Sequence, residues 1–521
     1  MKTMKQIFIL LTLIWTISTQ AQQLTNQSII GSNSSENNAK ILELPDGSYL
    51  VAITSNGGQT GMKDMPSFGA KDCWILRYDV NDNLLWQKAY GGDADDFVKK
   101  IILSQDNKIL VLCSSFSGVS GNKTVELVGG SDTWLFKMDW DGNILWQQGF
   151  GTTTYDGCNT ILAHPDQSIY LGFTNQIADG SFTDQIFGLG DMMILKLDAQ
   201  GNKIWDHSYG TTGMDQLEQL QLEPYTNKVV VFGNVTEAGT GNMTPTASVT
   251  GTNCWVFKID PNGGILEQTC FGSGTQYGNI QAVYLQDGSC WVMVGTQSDI
   301  EGDQNLTGFG IIDTWLVHLN ANLEIIGQRV FGGSTIDTPQ ELSFDGSVLE
   351  LVIMSNSPIS GNKTESCRGY ADVWYLQLNA IDGEILFQKT IGGTQSEYNA
   401  TILRKGTDVR FFIETNSPNG ADKQVANYNT NPDIWCVTMS STLTVNEFST
   451  NSIQIYPNPS SGQLYIEATS ALHNATLTDA QGRMLHQFDL QTGFNQFNFL
   501  DLLPGSYFIQ TGTSVLKWVV E

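Results

Sequence analysis

Gly129-Gly130-Ser131-Asp132-Thr133-Trp134-Leu135-Phe136-Lys137-Met138-Asp139-Trp140-Asp141-Gly142-Asn143-Ile144-Leu145-Trp146 is one instance of a unit that recurs along most of this chain. Its marker is the third residue of Asp-x-Trp, a place filled in turn by Trp74, Trp134, Met193, Trp255, Trp315, Trp374 and Trp435. Subtraction gives intervals of 60, 59, 62, 60, 59 and 61 residues. A period held this closely means that each copy is one supersecondary unit that cannot bury its own apolar faces and stacks on the next.

The second copy reads as four strands. Residues 98–103 and 109–113 are apolar runs separated by the Gln105-Asp106-Asn107 turn. A Gly- and Ser-rich loop, 117–131, leads to a third run at 133–138. The polar hairpin Asp139-Trp140-Asp141-Gly142-Asn143 then leads to a fourth at 144–150. Glycine recurs in that hairpin, at Gly142, Gly201 and Gly263, because it takes positive φ without steric cost. The strands carry apolar residues on both faces, as a small sheet sandwiched between two neighbours requires. No sustained 3.6-residue apolar stripe interrupts them. Four-stranded units stacked around an axis make a propeller, and seven lies within the usual range of blades.

The ends of the array suit a closed ring. The last copy stops after its third strand, 433–439, while residues 24–31, ending Ile29-Ile30-Gly31, resemble the fourth strands at 144–151 and 385–392. Lending that strand to the last blade removes the seam and hides its edge. The expected fold is therefore all-β: a seven-bladed β-propeller of four-stranded blades closed by the N-terminal strand, then a small C-terminal β-sandwich. The boundaries read as 1–21 signal peptide, 22–439 propeller, 440–452 linker and 453–521 sandwich.

Met1-Lys2-Thr3-Met4-Lys5, the apolar run 7–17 and Thr19-Gln20-Ala21 have the three parts of a secretory signal peptide cleaved before Gln22. The run is short for a membrane span, and no other segment approaches eighteen apolar residues, so no integral membrane segment is expected in the mature chain. Fifty-three acidic residues against 26 basic give a formal charge of −27, which repels phosphate backbones and excludes nucleic acid as a partner. Cys73, Cys113, Cys158, Cys254, Cys270, Cys290, Cys367 and Cys436 sit singly, without a Cys-x-x-Cys pair. Export permits disulfides; Cys254 and Cys270 flank one hairpin and face each other only if the register is right, because a shift of one residue separates them, and the pairing is left open.

After the linker the repeat vanishes. Tyr456-Pro457-Asn458-Pro459, then Gly462, Asp479-Ala480-Gln481-Gly482-Arg483, Gly505-Ser506-Tyr507 and Lys517 punctuate alternating apolar runs, the pattern of a small β-sandwich. Residues 453–521 resemble the type A C-terminal sorting domain of the Bacteroidetes type IX secretion system, with these elements in the family's order and spacing. Trp518 stands where the family more often has an aliphatic residue. The resemblance implies type IX secretion machinery as a partner and a secreted or cell-surface destination. The repeats, with Ser120-Gly121-Asn122 and the Asp-x-Trp signature, are similar to propeller repeats of other proteins with this sorting signal.

Asp72, Asp132, Asp191, Asp313, Asp372 and Asp433 precede the marker residues and invite a reading as a ring of metal ligands, but the fourth copy has Asn253. Asp and Asn exchange freely as acceptors for backbone N–H groups at a strand start, and that is the reading adopted. The tryptophans read as wedges between blades, with Met193 filling the same gap. Asp139 to Asn143 lacks the later ligands of a calcium loop and reads as a hairpin turn. His318 aligns with Arg77, Lys137, Lys196 and Lys258 and reads as a repeated exposed position. His164, His207, His473 and His486 are isolated. Acidic neighbours such as Asp95 and Asp96 could serve acid–base chemistry only if the fold placed two carboxylates across a cleft. No residue is assigned as catalytic, cofactor-binding or metal-binding, and no cofactor is called for.

The loops at 56–71, 117–131, 176–190, 236–252, 298–312, 356–371 and 416–432 are long and divergent and emerge on one face of a propeller. A rigid scaffold presenting variable loops suits recognition. The expectation is an exported or surface-displayed, non-catalytic binding module for an extracellular glycan or protein. The alternatives are an extracellular polysaccharide hydrolase or lyase and a structural adhesion component.

Overall fold

The computed structural model describes residues 23–440 except 155, 247, 248, 275, 298 and 299, and residues 453–520 except 457, 458, 461, 469–471, 480–482, 500, 501, 512 and 513. The signal-peptide reading and all but the first residue of the linker reading lie outside the described residues. Every regular element described is a strand, and no helix among them is long and apolar enough to cross a membrane. The chain divides into two compact units, one of residues 23–441 and one that holds residues 442–521.

The first unit consists of seven antiparallel four-stranded sheets. Blade 1 runs Glu36–Glu43, Tyr49–Ser55, Asp72–Tyr78 and Leu84–Tyr90; blade 2 runs Asp96–Leu103, Ile109–Ser115, Asp132–Met138 and Ile144–Phe150. Blades 3 to 6 repeat the order, with first strands Gly157–Ala163, Asp215–Leu222, Gln276–Tyr284 and Asp337–Phe344. Each first strand packs on that of the next blade, and Glu397–Lys405 of blade 7 packs back on Glu36–Glu43, so the array is a closed ring. Blade 7 takes its fourth strand from the N-terminus: Gln23–Ile30 pairs with Asp433–Ser440, Ile29 opposite Trp435 and Leu24 opposite Met439.

Burial follows position in the blade. Second and third strands are buried almost end to end, as at Ile109–Ser115 and Asp132–Met138, because both faces meet neighbouring blades. Six seams hold Trp74, Trp134, Trp255, Trp315, Trp374 and Trp435, each fully buried between its own blade and the preceding one, and Met193 fills the seventh. A ring that removes ~150–250 Å² from water contributes at most ~4–6 kcal/mol.

The second unit holds a three-stranded sheet, with Gln463–Ala468 central, and a four-stranded sheet with Leu472–Asp479 and Gly505–Thr511 inside. Leu464, Ile466, Leu477, Ile509 and Trp518 fill one core. The Trp518 indole packs 5.9 Å from Phe499 and 6.2 Å from Tyr507, so a large ring is accommodated where the family favours an aliphatic one.

Candidate recognition face and axial channel

The long loops are pinned before any ligand arrives. Asn122 Nδ2 donates to Ala89 O at 2.9 Å while its Oδ1 accepts from Gly91 N at 3.0 Å, tying the loop of blade 2 to the end of blade 1. Asn242 and Asn362 repeat the clamp on Gly210 and Gly332. Gly121 has φ 58° and lies so close to Gly91 O that a Cβ there would approach it to 2.3 Å, which is why this turn needs glycine. Lys63, Lys123, Lys363 and Lys423 are buried beneath the loops. Lys63 Nζ donates to Gly57 O and Ser67 Oγ, both at 2.8 Å. Burial pushes the Lys423 ammonium down to about 8. At the loop surfaces Val119, Leu189, Ile300, Ile359, Tyr370 and Tyr428 are exposed.

The Asp ring lies at the starts of the third strands and is spent on backbone. Asp72 accepts from Phe68 N at 2.5 Å, Asp191 from Phe187 N at 2.7 Å, Asp313 from Phe309 N at 2.6 Å and Asp433 from Tyr428 N at 2.7 Å. Asp132 and Asp372 accept from Val128 N and Arg368 N. Asn253 inverts the role, its Nδ2 donating to Gly251 O at 3.0 Å. Among the described residues no group of three His, Cys, Asp or Glu side chains is placed to hold a metal ion. Asp139, too, is used locally, accepting from Asn143 N at 2.8 Å and Asp141 N at 3.0 Å.

A second acidic ring, unnoticed in the sequence, begins the first strands. Glu36, Asp96, Asp156, Asp215, Asp337 and Glu397 accept from Ser32 N, Gly92 N, Thr152 N, Thr211 N, Gly333 N and Gly393 N. Asp96 is therefore structural, bonded also to Ser117 Oγ at 2.8 Å. At two seams the rings come together, Asp372 beside Glu397 and Asp433 beside Glu36, and each aspartate feels the neighbouring carboxyl. Burial, then the neighbouring carboxyl, raises Asp372 and Asp433, while burial lifts Asp215 and Asp313 to about 6. In blade 5 the ladder place of Glu36, Asp96, Asp337 and Glu397 is held by Gln276, opposite Thr296. Its counterpart across the seam is Asn253, so both acids are lost together. The signal lay in the sixty-residue spacing of these acids.

The tryptophans have a fixed partner as well. Each indole N–H donates to a glutamine of the fourth strand: Trp74 to Gln87 and Trp134 to Gln147, both at 3.0 Å, Trp255 to Gln268 and Trp374 to Gln388, both at 3.1 Å, and Trp315 to Gln328 at 3.2 Å. Trp435 completes the series at 3.1 Å with Gln27, from the borrowed N-terminal strand. Blade 3, which has Met193, carries Asp206 in place of the glutamine, and its carboxylate accepts from Thr183 N at 2.6 Å.

One sequence expectation is corrected. His318 and its equivalents are buried, not exposed, because their tips find partners at the turn face. Lys137 meets Asp106 at 2.9 Å, Lys258 meets Glu223 at 2.6 Å, and His318 Nε2 lies 2.9 Å from Ser289 Oγ with its ring stacked 4.3 Å from Trp291. Cys254 pairs with Phe271 and Cys270 with Trp255, a one-residue offset that sends the two thiols to opposite faces of the sheet. All eight cysteines are thiols.

The seven first strands line an axial channel. Two connected spaces of about 380 and 460 Å³ share Asn38, Lys40, Lys100, Gln219 and Gln281. Every first strand is bulged, which inserts an extra inward residue such as Asn38, Lys99, Asn159 or Glu218. Burial pushes the Glu218 carboxyl up to about 7 and, with Lys100 nearby, the Lys40 ammonium down to about 8.

In the C-terminal unit Asp479 closes its turn by accepting from Arg483 N at 2.9 Å and Arg483 Nε at 2.7 Å, and Tyr507 OH donates to Leu503 O at 2.6 Å. Gly462 takes φ 93°, Pro459 is exposed, and Tyr456, Gly505 and Lys517 lie in strands. Pro457, Asn458 and Gly482 lie outside the described residues.

Residues 454–520 match the model of a family described as secretion system C-terminal sorting domain. No curated protein matches the chain. Among solved structures it is similar to polysaccharide lyase Uly1 (8% identity, 83% of this chain and 94% of that one, TM-score 0.42). It is also similar to the Dos1 propeller (8%, 80% and 96%, 0.41) and to a protein of unknown function from Dyadobacter fermentans (11%, 65% and 96%, 0.39). Scores of this size transfer no activity. The C-terminal unit belongs to the sorting domains of the type IX secretion system, and the chain that carries it is a propeller-repeat protein secreted or attached at the outer cell surface.

Proposed function

We propose that the chain is a non-catalytic recognition scaffold, residues 22–439 forming the propeller, 440–452 a linker and 453–521 the sorting domain, that binds an extracellular glycan or protein through its long-loop face. The observation that carries this reading is the division of labour in the loops. Their stems are fixed by the same clamps in blade after blade, while their tips expose unlike apolar residues, from Val119 to Tyr370. A preordered rim loses little entropy on binding. Glycan arrays and capture of extracellular proteins by the exported chain test it: Ile359→Asp with Val119→Asp is expected to abolish binding at unchanged melting temperature. Retention of the ligand by that variant, or no ligand on either platform, would sink the reading.

A second reading, an extracellular polysaccharide hydrolase or lyase, draws support from Glu218 and Lys40, whose protonation changes near neutrality in one channel. Turnover of a polysaccharide panel that disappears in Glu218→Gln would replace the first reading with this one.

A further inference from the structure

One ring of inward residues departs from the task its equivalents perform. Lys40, Lys100, Thr160, Gln219, Gln281, Glu341 and Thr401 occupy the same ladder place in blades 1 to 7, opposite Ala52, Leu112, Gly172, Phe232, Met293, Val352 and Phe412. In blades 3 to 6 this residue joins its blade to the next by accepting a backbone N–H. Thr160 accepts from Leu220 N at 3.3 Å, Gln219 from Ala282 N at 2.5 Å, Gln281 from Leu342 N at 3.1 Å and Glu341 from Ile402 N at 3.3 Å. A lysine ammonium has donors and no acceptor, so Lys40 and Lys100 cannot do this work.

The neighbouring bulge adds a third cation. Lys99 and Lys100 are consecutive, and in a regular strand they would point to opposite faces. The bulge between Val98 and Lys100 brings both to the channel. Among the described residues none of Lys40, Lys99 and Lys100 has a hydrogen-bond or ion-pair partner, although most cations elsewhere in the propeller are bonded. The acids on the channel hydrogen-bond to other groups: Glu341 accepts from Ile402 N, and Glu218 accepts from Asn234 Nδ2 at 3.2 Å. Glu414, behind the first strands, accepts from Asn37 Nδ2 at 2.8 Å and Asn399 Nδ2 at 2.9 Å. Three unpaired ammonium groups thus converge on a polar tube in a chain of formal charge −27. Glu341, which lines the tube with Lys40 and Lys100, and Glu414, which acts on Lys40, offset part of their mutual repulsion, and a bound anion relieves the rest. Amides at Asn159, Gln219 and Gln281 line the same space.

We propose that the axial channel is a binding site for one small oxyanion, a carboxylate, sulfate or phosphate group, held by Lys40, Lys99 and Lys100. The site is separate from the loop face and does not depend on what that face recognises. A channel of this volume admits a free anion or the acidic end of a longer molecule.

Isothermal titration of the exported chain at low ionic strength with sodium sulfate, sodium phosphate and sodium glucuronate tests it, with glucose as the neutral control. Saturable binding of one anion per chain is expected. Each of Lys40→Met, Lys99→Met and Lys100→Met should weaken it about tenfold, the loss of one charge-assisted hydrogen bond. Affinity should also fall as pH rises through 8, where Lys40 gives up its proton. Strongest binding of glucuronate would identify the end of an acidic saccharide, and equal binding of all three a free anion; either supports the site. No saturable heat, or binding unchanged in variants that melt like wild type, would overturn it. Should a variant fail to fold, anomalous maps from bromide-soaked crystals of the unaltered protein decide: density beside the three lysines supports the site and an empty channel refutes it.

Discussion

Replacing Gln27 by alanine tests whether the N-terminal strand is a working member of blade 7. Gln27 makes three bonds to that blade. Its Oε1 accepts from Trp435 Nε1 at 3.1 Å and from Gln424 N at 2.8 Å, and its Nε2 donates to Asp422 O at 2.9 Å. The indole N–H belongs to a fully buried ring, so Gln27→Ala leaves it without an acceptor, at about 1–3 kcal/mol. The two partly exposed bonds add about 1 kcal/mol, giving about 2–4 kcal/mol in all. A cooperative unit of about 420 residues, at about 2.1 cal/mol/K per residue, has an unfolding entropy near 0.9 kcal/mol/K, so the melt should move down by about 2–4 °C. Gln147→Ala is the internal standard: it removes the same bonds, to Trp134 at 3.0 Å, Thr124 N at 2.9 Å and Asn122 O at 3.2 Å, within a covalently continuous blade. Scanning calorimetry at one scan rate should give the two variants equal shifts. A normal shift for Gln147→Ala with none for Gln27→Ala would refute the borrowed strand.

The raised carboxyls of the seams make stability depend on pH. Asp215, Asp313, Asp372 and Asp433 hold protons in the fold that the unfolded chain releases above about 4, so stability should rise as pH falls from 8 to 5, by at most about 1.4 kcal/mol per unit for each group. Asp46, Asp82 and Asp166 are held below their ordinary values and withdraw their support only under more acid conditions, so a flat melting profile between pH 5 and 8 would contradict the raised seam aspartates. Asp372→Asn with Glu397→Gln copies the amides of blades 4 and 5 and should flatten part of that profile. Trp315→Ala should cost ~3–5 kcal/mol through the cavity left in its seam, and a variant that melts like wild type but loses ligand would make the indole a binding residue. Met193→Trp should destabilise by about 1–3 kcal/mol through overpacking, and adding Asp206→Gln should recover part of the loss by supplying the missing acceptor, as calorimetry of the single and double variants would record.

The blade was legible because its signals are local and periodic. Trp74 to Trp435 mark one seam each, glycine marks the turns, and residues 24–31 spell a fourth strand far from the blade that needs it. Position 318 was misread because lysine, arginine and histidine suggest exposure. Burial here depends on carboxylates and carbonyls from other turns, such as Asp106 for Lys137 and Ala321 O for Lys258 at 2.6 Å, that no stretch around position 318 reveals. The seam acids and Trp–Gln pairs were present in the spacing, but their meaning required knowing which strands face across a seam. The hairpin thiols turned on one residue of register, beyond the reach of pattern reading.

A repeat protein offers an internal control for each position, and this sharpens the search for function. Where all seven blades agree, or trade one solution for its equivalent as Asn253 does for the third-strand aspartates, the residue holds the ring together. Where a blade gives up a bond that most other blades keep, the residue there is free for another task. The loop tips vary without touching any such bond, so their variation is cheap and says only that the face is free to diverge. Lys40 and Lys100 are different: each replaces an acceptor that joins successive blades, and with Lys99 they gather repelling charge at the axis. Lys40, Lys99 and Lys100 side by side carry more positive charge than Glu341 offsets, and the proposed anion balances the excess.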